Sequence, residues 1–318
     1  MVSLSRRQFI ALAGGLGVGA AGVVTLGSRR AHAPELPLAP AIEAAAATLA
    51  PSTSTPRPTP TPIPEPPVMP RGREEVRLMA GSEWEAVGTI FHSGLAGPRF
   101  MVLGGVHGNE PGGWLGAGAA ATWEVDRGML IVLPLINHRS AAAFQRTLDG
   151  IGDLNRLYPG DTQGVPMARM AYEITALAKQ WRPHWLWDMH ESWGFYNERG
   201  ENSGTAFIGQ TITSTNGEAG AALEAVLGRV NGVISPREEF VPRSRPGGFF
   251  GGGGSLDTIP REFGGRGGSS LSLGNYVAGL KPVLVEMGQM DQAESRRSEL
   301  HQILVRAMME HVGMFADA

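Results

Sequence analysis

The sequence predicts an α/β fold, a three-layer α/β/α sandwich with a mixed, mostly parallel central sheet. Three observations carry the prediction. Short continuous apolar runs recur at Phe100–Leu103, Met129–Leu133, Trp185–Trp187 and Pro282–Val285. Runs without polar alternation are the pattern of strands covered on both faces. Segments of helical spacing stand between them, so strand and helix alternate along the chain. His107, Asn137, His190 and Glu286 each fall at or just beyond the carboxyl end of one of these runs. Sites in such sheets form along that rim.

The chain has 318 residues, a formal net charge of -3 and no cysteine. The near-neutral charge argues against a nucleic-acid partner. Without thiolates, any metal must be held by His, Asp or Glu.

Three regions follow in order. Residues 1–33 carry Arg6-Arg7, an apolar Gly/Ala-rich run to Gly27 and Ala31-His32-Ala33, the layout of a twin-arginine-type signal peptide or anchor. Export to an extracytoplasmic location is expected; an uncleaved anchor would add a membrane tether. Residues 34–70 form a Pro-rich linker, whose prolines exclude helix and ladder and favour an extended spacer. Residues 71–318 form the folded domain. Within it, Val76–Phe91 is expected to give one or two edge strands. Phe100–Gly105, Met129–Pro134, Trp185–Asp188 and Pro282–Val285 are expected as buried strands, with Ala206–Ile208 as a weaker one. Trp114–Trp123, Met167–Trp181, Glu218–Val230 and Ser295–Met314 are expected as helices; Leu300, Ile303, Leu304, Ala307 and Met308 share one face of the last.

His107 and Glu110 stand three apart in Gly104-Gly105-Val106-His107-Gly108-Asn109-Glu110. Glycines let such a turn aim both side chains at one point, and zinc accepts imidazole and carboxylate together. Alone, H-x-x-E also fits a polar loop after a strand. His190 would complete three ligands, leaving a position open for water. Alone, it also fits a strand-end histidine bonded to a carbonyl. Asp188 lies two residues earlier, on the same side of an extended chain, where it could fix the imidazole tautomer. In Asp153-Leu154-Asn155-Arg156, the arginine fork suits a carboxylate or oxyanion and Asn155 can donate to the same group, although a loop salt bridge fits as well. Arg139 or Arg146 could add a second cationic contact, and Arg146 is preferred. Glu286, a lone acid ending an apolar strand, is costly there unless paired or used. Beside an activated water it would serve as general base and then as proton donor.

Together these motifs resemble the zinc carboxypeptidase superfamily, in its succinylglutamate desuccinylase/aspartoacylase branch. The resemblance runs from about Pro98 to Met287, with His107 and Glu110, then Asp153–Arg156, the Asp188-x-His190 pair and Glu286 in the family's order. It implies one Zn²⁺ bound by His107, Glu110 and His190, and catalysis by Glu286. It also implies that Asn155 and Arg156 contact the substrate carboxylate or oxyanion. The expected function is an exported zinc-dependent amide-bond hydrolase, carboxypeptidase-like or N-acyl-amino-acid deacylase-like. Its partner would be a small molecule or peptide with a free carboxylate. The alternative is a non-catalytic, surface-tethered binding module on the same fold. Pro246–Gly274 is Gly-rich and would serve either as a lid bringing Arg261, Arg266 or nearby Tyr276 to the substrate, or as a plain insertion.

Overall fold

The apolar runs become the middle of an eight-stranded sheet in this computed structural model, which describes residues 65–200, 204–243 and 268–316. The strands are β1 (Gly72–Leu78), β2 (Ala86–His92), β3 (Arg99–Leu103), β4 (Met129–Leu133), β5 (Trp185–Ser192), β6 (Thr211–Ser214), β7 (Val241–Pro242) and β8 (Lys281–Gly288). Their order is β1-β2-β4-β3-β5-β8-β6-β7. The contiguous block β4-β3-β5-β8 is parallel. Pairing is antiparallel for β1 with β2, β2 with β4 and β6 with β8, and β6 with β7 is parallel. The mixed, mostly parallel α/β sheet is the one expected.

The side-chain alternation of each strand divides the core between the two faces. Phe100, Val102, Trp187, Val283 and Val285 contribute to one apolar cluster, which includes residues of α4 (Gly220–Asn231) and α5 (Glu294–His311). Met101, Leu103, Ile131 and Leu186 contribute to the other, under α3 (Pro166–Trp181). Helix α1 (Pro111–Ala120) joins the first layer, and the five-residue α2 (His138–Ala142) follows β4. Among the described residues no helix is long and apolar enough to cross a membrane.

Several expectations change. Residues 76–91 give two strands, but only β1 is an edge, because β2 is enclosed by β4. The weak strand expected at Ala206–Ile208 is instead a 3₁₀ turn at Gly204–Ala206, and the strand follows at Thr211–Ser214. That strand is fully buried although three of its four residues carry hydroxyls; β-branched threonine suits a pleated strand, and its polarity hid the signal. Trp185 opens a strand that continues past Asp188 to Ser192, which places His190 inside it. The signal region 1–33, most of the linker, Arg261 and Arg266 lie outside the described residues. Glu65 is described. It pairs with Arg99 at 2.6 Å, at the first residue of β3, and approaches Arg182 at 3.5 Å.

Candidate metal centre

The site is built at the carboxyl ends of three adjacent parallel strands, β3, β5 and β8. β3 ends at Leu103, and Gly105 then turns the chain with φ +63, a left-handed conformation suited to glycine. The turn delivers His107. Pro111 begins α1, with Glu110 as the residue before it. The Glu110 carboxylate does not cap the helix; it lies between the two histidines. On β5, the two-residue strand period puts Asp188 and His190 on the face of Leu186, and the parallel register sets Glu286 of β8 beside His190.

The distances define a cradle. His107 Nδ1 lies 2.7 Å from Glu110 Oε1, and His190 Nδ1 lies 2.9 Å from Glu110 Oε2. The two Nδ1 atoms are 3.1 Å apart. All three residues are buried, and one ligand atom from each lies within 4.8 Å of the others. Zinc bonds of about 2.0–2.1 Å in a tetrahedron separate ligand atoms by about 3.4 Å. The cradle is tighter by about 0.3–0.7 Å, so an outward movement of that size fits it to the ion.

Each imidazole is held from behind. His190 Nε2 donates to Asp188 Oδ2 at 2.8 Å, and His107 Nε2 donates to Asp153 Oδ1 at 3.2 Å. These bonds turn both Nδ1 atoms toward Glu110 and fix the tautomer a metal requires. Burial alone would raise the Glu110 carboxyl, yet His107 and His190 hold it well below the usual range. Burial would lower the His190 pKa, but Asp188 and Glu110 push it well above that of an ordinary imidazole. Burial would raise Asp153 too, and His107 and Arg146 hold it low. Three carboxylates around two imidazoles thus favour positive charge at this point, and the residues fit a divalent cation.

Burial raises the half-buried Glu286 carboxyl to about 8; His190 opposes the rise and Glu110 adds to it. Glu191, the next residue after His190, faces the opposite side and is committed to Arg297 at 2.8 Å.

The substrate-contact candidates separate. Arg146 stands at the cluster's edge, 3.0 Å from Asp153 Oδ2 and 3.7 Å from Glu110 Oε1, with 44% of its side chain exposed. That exposure leaves it reachable by a ligand. Asn155 is buried, accepts from Ser270 N–H at 3.0 Å, and brings its amide nitrogen within 3.4 Å of His190 Nε2. Arg156 is exposed and donates to the Asn155 carbonyl at 2.7 Å, without a described bond to the cluster. Arg139 is engaged with Glu83 and stacks on Trp84. Asp153, which contacts both His107 and Arg146, received no role from the sequence, although it opens the Asp153–Arg156 motif.

A cradle, its supporting carboxylates and an acid on the next strand now stand in the order the sequence set out. Residues 96–192 match the succinylglutamate desuccinylase/aspartoacylase catalytic domain. The match spans under a third of the chain and includes His107, Glu110, Asp153–Arg156 and His190. It bears out the resemblance to the desuccinylase/aspartoacylase branch. No curated protein matches the chain significantly. Among solved structures, the product-bound cell shape determinant protein Csd4 from Helicobacter pylori is similar at 15% identity and TM-score 0.56, over 77% of this chain and 55% of that one. A succinylglutamate desuccinylase/aspartoacylase from Rhodobacter sphaeroides is similar at 16% identity and TM-score 0.54, over 80% of this chain and 70% of that one. The ectoine utilization protein EutE (DoeB) from Ruegeria pomeroyi is similar at 17% identity and TM-score 0.52, over 79% of this chain and 70% of that one. At these identities the neighbours establish the fold. The chain spans about half the length of the Csd4 structure.

Proposed function

We propose that this protein is an exported zinc-dependent hydrolase of amide bonds, acting on a peptide or N-acyl amino acid that carries a free carboxylate. The observation that carries this reading is the buried His107–Glu110–His190 cradle with Glu286 in register beside it. His107 Nδ1, Glu110 and His190 Nδ1 would hold the ion. When bound, zinc supplies Lewis acidity toward a carbonyl and lowers the pKa of a water at the open position. Glu286 accepts a proton from the attacking water and returns it to the leaving nitrogen, the paired roles of a carboxyl placed beside the cradle. Arg146 at the cluster's edge receives the substrate carboxylate or the developing oxyanion, with Asn155 and Arg156 as the further contacts that the resemblance implies. Csd4 is described as a D,L-carboxypeptidase, and its structures include mDAP-bound and tripeptide-bound forms. Those ligands support testing peptides first.

The test is a paired screen of the zinc-loaded domain against peptides with free and amidated C-termini and against N-acyl amino acids. Hydrolysis restricted to carboxylate-bearing substrates supports the proposal. Zinc retention with no turnover on any panel member would leave the binding-module alternative in its place.

Export is part of the proposal and rests on Arg6-Arg7 ahead of the apolar run. Changing both to lysine is expected to retain the precursor in the cytoplasm, read by fractionation. Unchanged export of that variant would remove the twin-arginine assignment.

A further inference from the structure

The back of the cradle is crossed by one side chain that the motifs do not include. Gln289 follows Glu286 by three residues, just past the end of β8. Its amide nitrogen donates to the carbonyl of Asn109, at 2.9 Å, and to Glu191 Oε2, also at 2.9 Å. Asn109 lies inside the turn between His107 and Glu110, and Glu191 is the residue after His190. Gln289 also anchors itself through its backbone N–H, which donates to Ser192 O at 2.8 Å. A single residue just past the base-bearing strand therefore binds the segments that carry all three candidate metal ligands.

The acceptor on the β5 side is itself fixed. Glu191 Oε1 receives Arg297 Nε of α5 at 2.8 Å, and the arginine also bonds to the Gln292 carbonyl. This pair is pressed against the first turn of α1. A Cβ on Gly112 would stand 2.1 Å from Glu191 Oε1 and 2.6 Å from Arg297 Cβ. The turn thus has little room to shift toward β5, and Gln289 restrains it from moving away.

We propose that Gln289 is a positioning residue that sets the spacing between the His107–Glu110 turn and His190, and through it the affinity of the cradle for zinc. The inference rests on the ligand assignment made above. A side chain with both amide hydrogens committed to two elements acts as a strut. Groups that hydrogen-bond a metal ligand directly are worth about 10–100-fold in affinity, and a strut bonded to the ligands' neighbours falls at the lower end of that range.

The test compares zinc dissociation constants by competition with a chelator, alongside thermal melting and kcat and KM on whichever substrate the screen identifies. Gln289→Met keeps length and packing but removes both donors; Gln289→Asn keeps the amide but is too short for both acceptors. Gln292→Met is the control, since it loses only a bond to the Gly288 carbonyl, at 2.9 Å, in the same loop. Zinc affinity is expected to fall about 10-fold in the Gln289 variants, the lower end of what a ligand's direct partners are worth. It should stay near wild type in Gln292→Met even if all three melt earlier. kcat should fall more than KM rises, because Gln289 touches no substrate. A folded Gln289 variant with wild-type zinc affinity overturns the inference. So does failure of both Gln289 variants to fold, which would make the residue structural. Absence of zinc binding by the wild-type chain would instead overturn the ligand assignment, so the two failures are distinguishable.

Discussion

Glu286→Gln is expected to lower hydrolysis by about 10²–10⁴-fold, the usual contribution of a positioned acid–base group, with zinc content near that of the wild type. The substitution preserves shape and removes the proton acceptor. Glu286 sits in register with His190 on the neighbouring strand, and the clustered ligand set does not include it. In the metal-free protein, loss of the carboxyl also removes an acid that burial has raised to about 8, so the apo fold should not weaken near neutral pH. The sign follows from linkage: a carboxyl with a raised native pKa is stabilised in its protonated form and opposes folding as pH climbs toward that value. The neutral amide avoids that cost. Zinc analysis and single-turnover kinetics on one preparation decide the matter. Zinc loss would make Glu286 a ligand; near-normal turnover would pass the base role to another group. Glu191 is poorly placed for it, being held by Arg297 and Gln289 on the far side of β5.

His107→Ala and His190→Ala are each expected to weaken zinc binding by more than about 100-fold, beyond the range that loss of a supporting residue costs. Two protein ligands remain in either case, and catalytic zinc sites ordinarily use three. The variants should differ in stability. Removing His190 leaves Asp188, wholly buried, without the imidazole that accounts for its described hydrogen bond. An uncompensated buried carboxylate is strongly destabilising. Removing His107 leaves Asp153 still paired with Arg146. His190→Ala should therefore melt earlier than His107→Ala at equal metal loss. A full equivalent of zinc in either variant would remove the ligand assignment.

What the sequence revealed depends on where the information lies. The central strands were legible because burial on both faces forces unbroken apolar runs such as Met129–Leu133. Thr211–Ser214 was hidden because a short buried strand of hydroxyl residues looks like a loop. Val241–Pro242 is too short to carry any period. The adjacency of β3, β5 and β8 is a pairing choice that hydropathy does not encode. At the site, His107 and Glu110 are local and their spacing displays them. The contact between Asp153 and His107 joins residues 46 positions apart, and Gln289 reaches Asn109 across 180. Only the fold brings such pairs together. Arg156 shows the opposite limit. Its motif is local, but its exposed guanidinium turns back onto the Asn155 carbonyl.

The ion pair of Glu65 with Arg99 determines how the domain can be handled. Arg99 opens β3 and His107 follows its other end, so five residues of extended chain, about 17 Å, separate the two. Glu65 thus stands at the opposite end of β3 from the cradle. A fusion or affinity handle joined directly at Glu65 would begin at that end, a strand's length from the cradle.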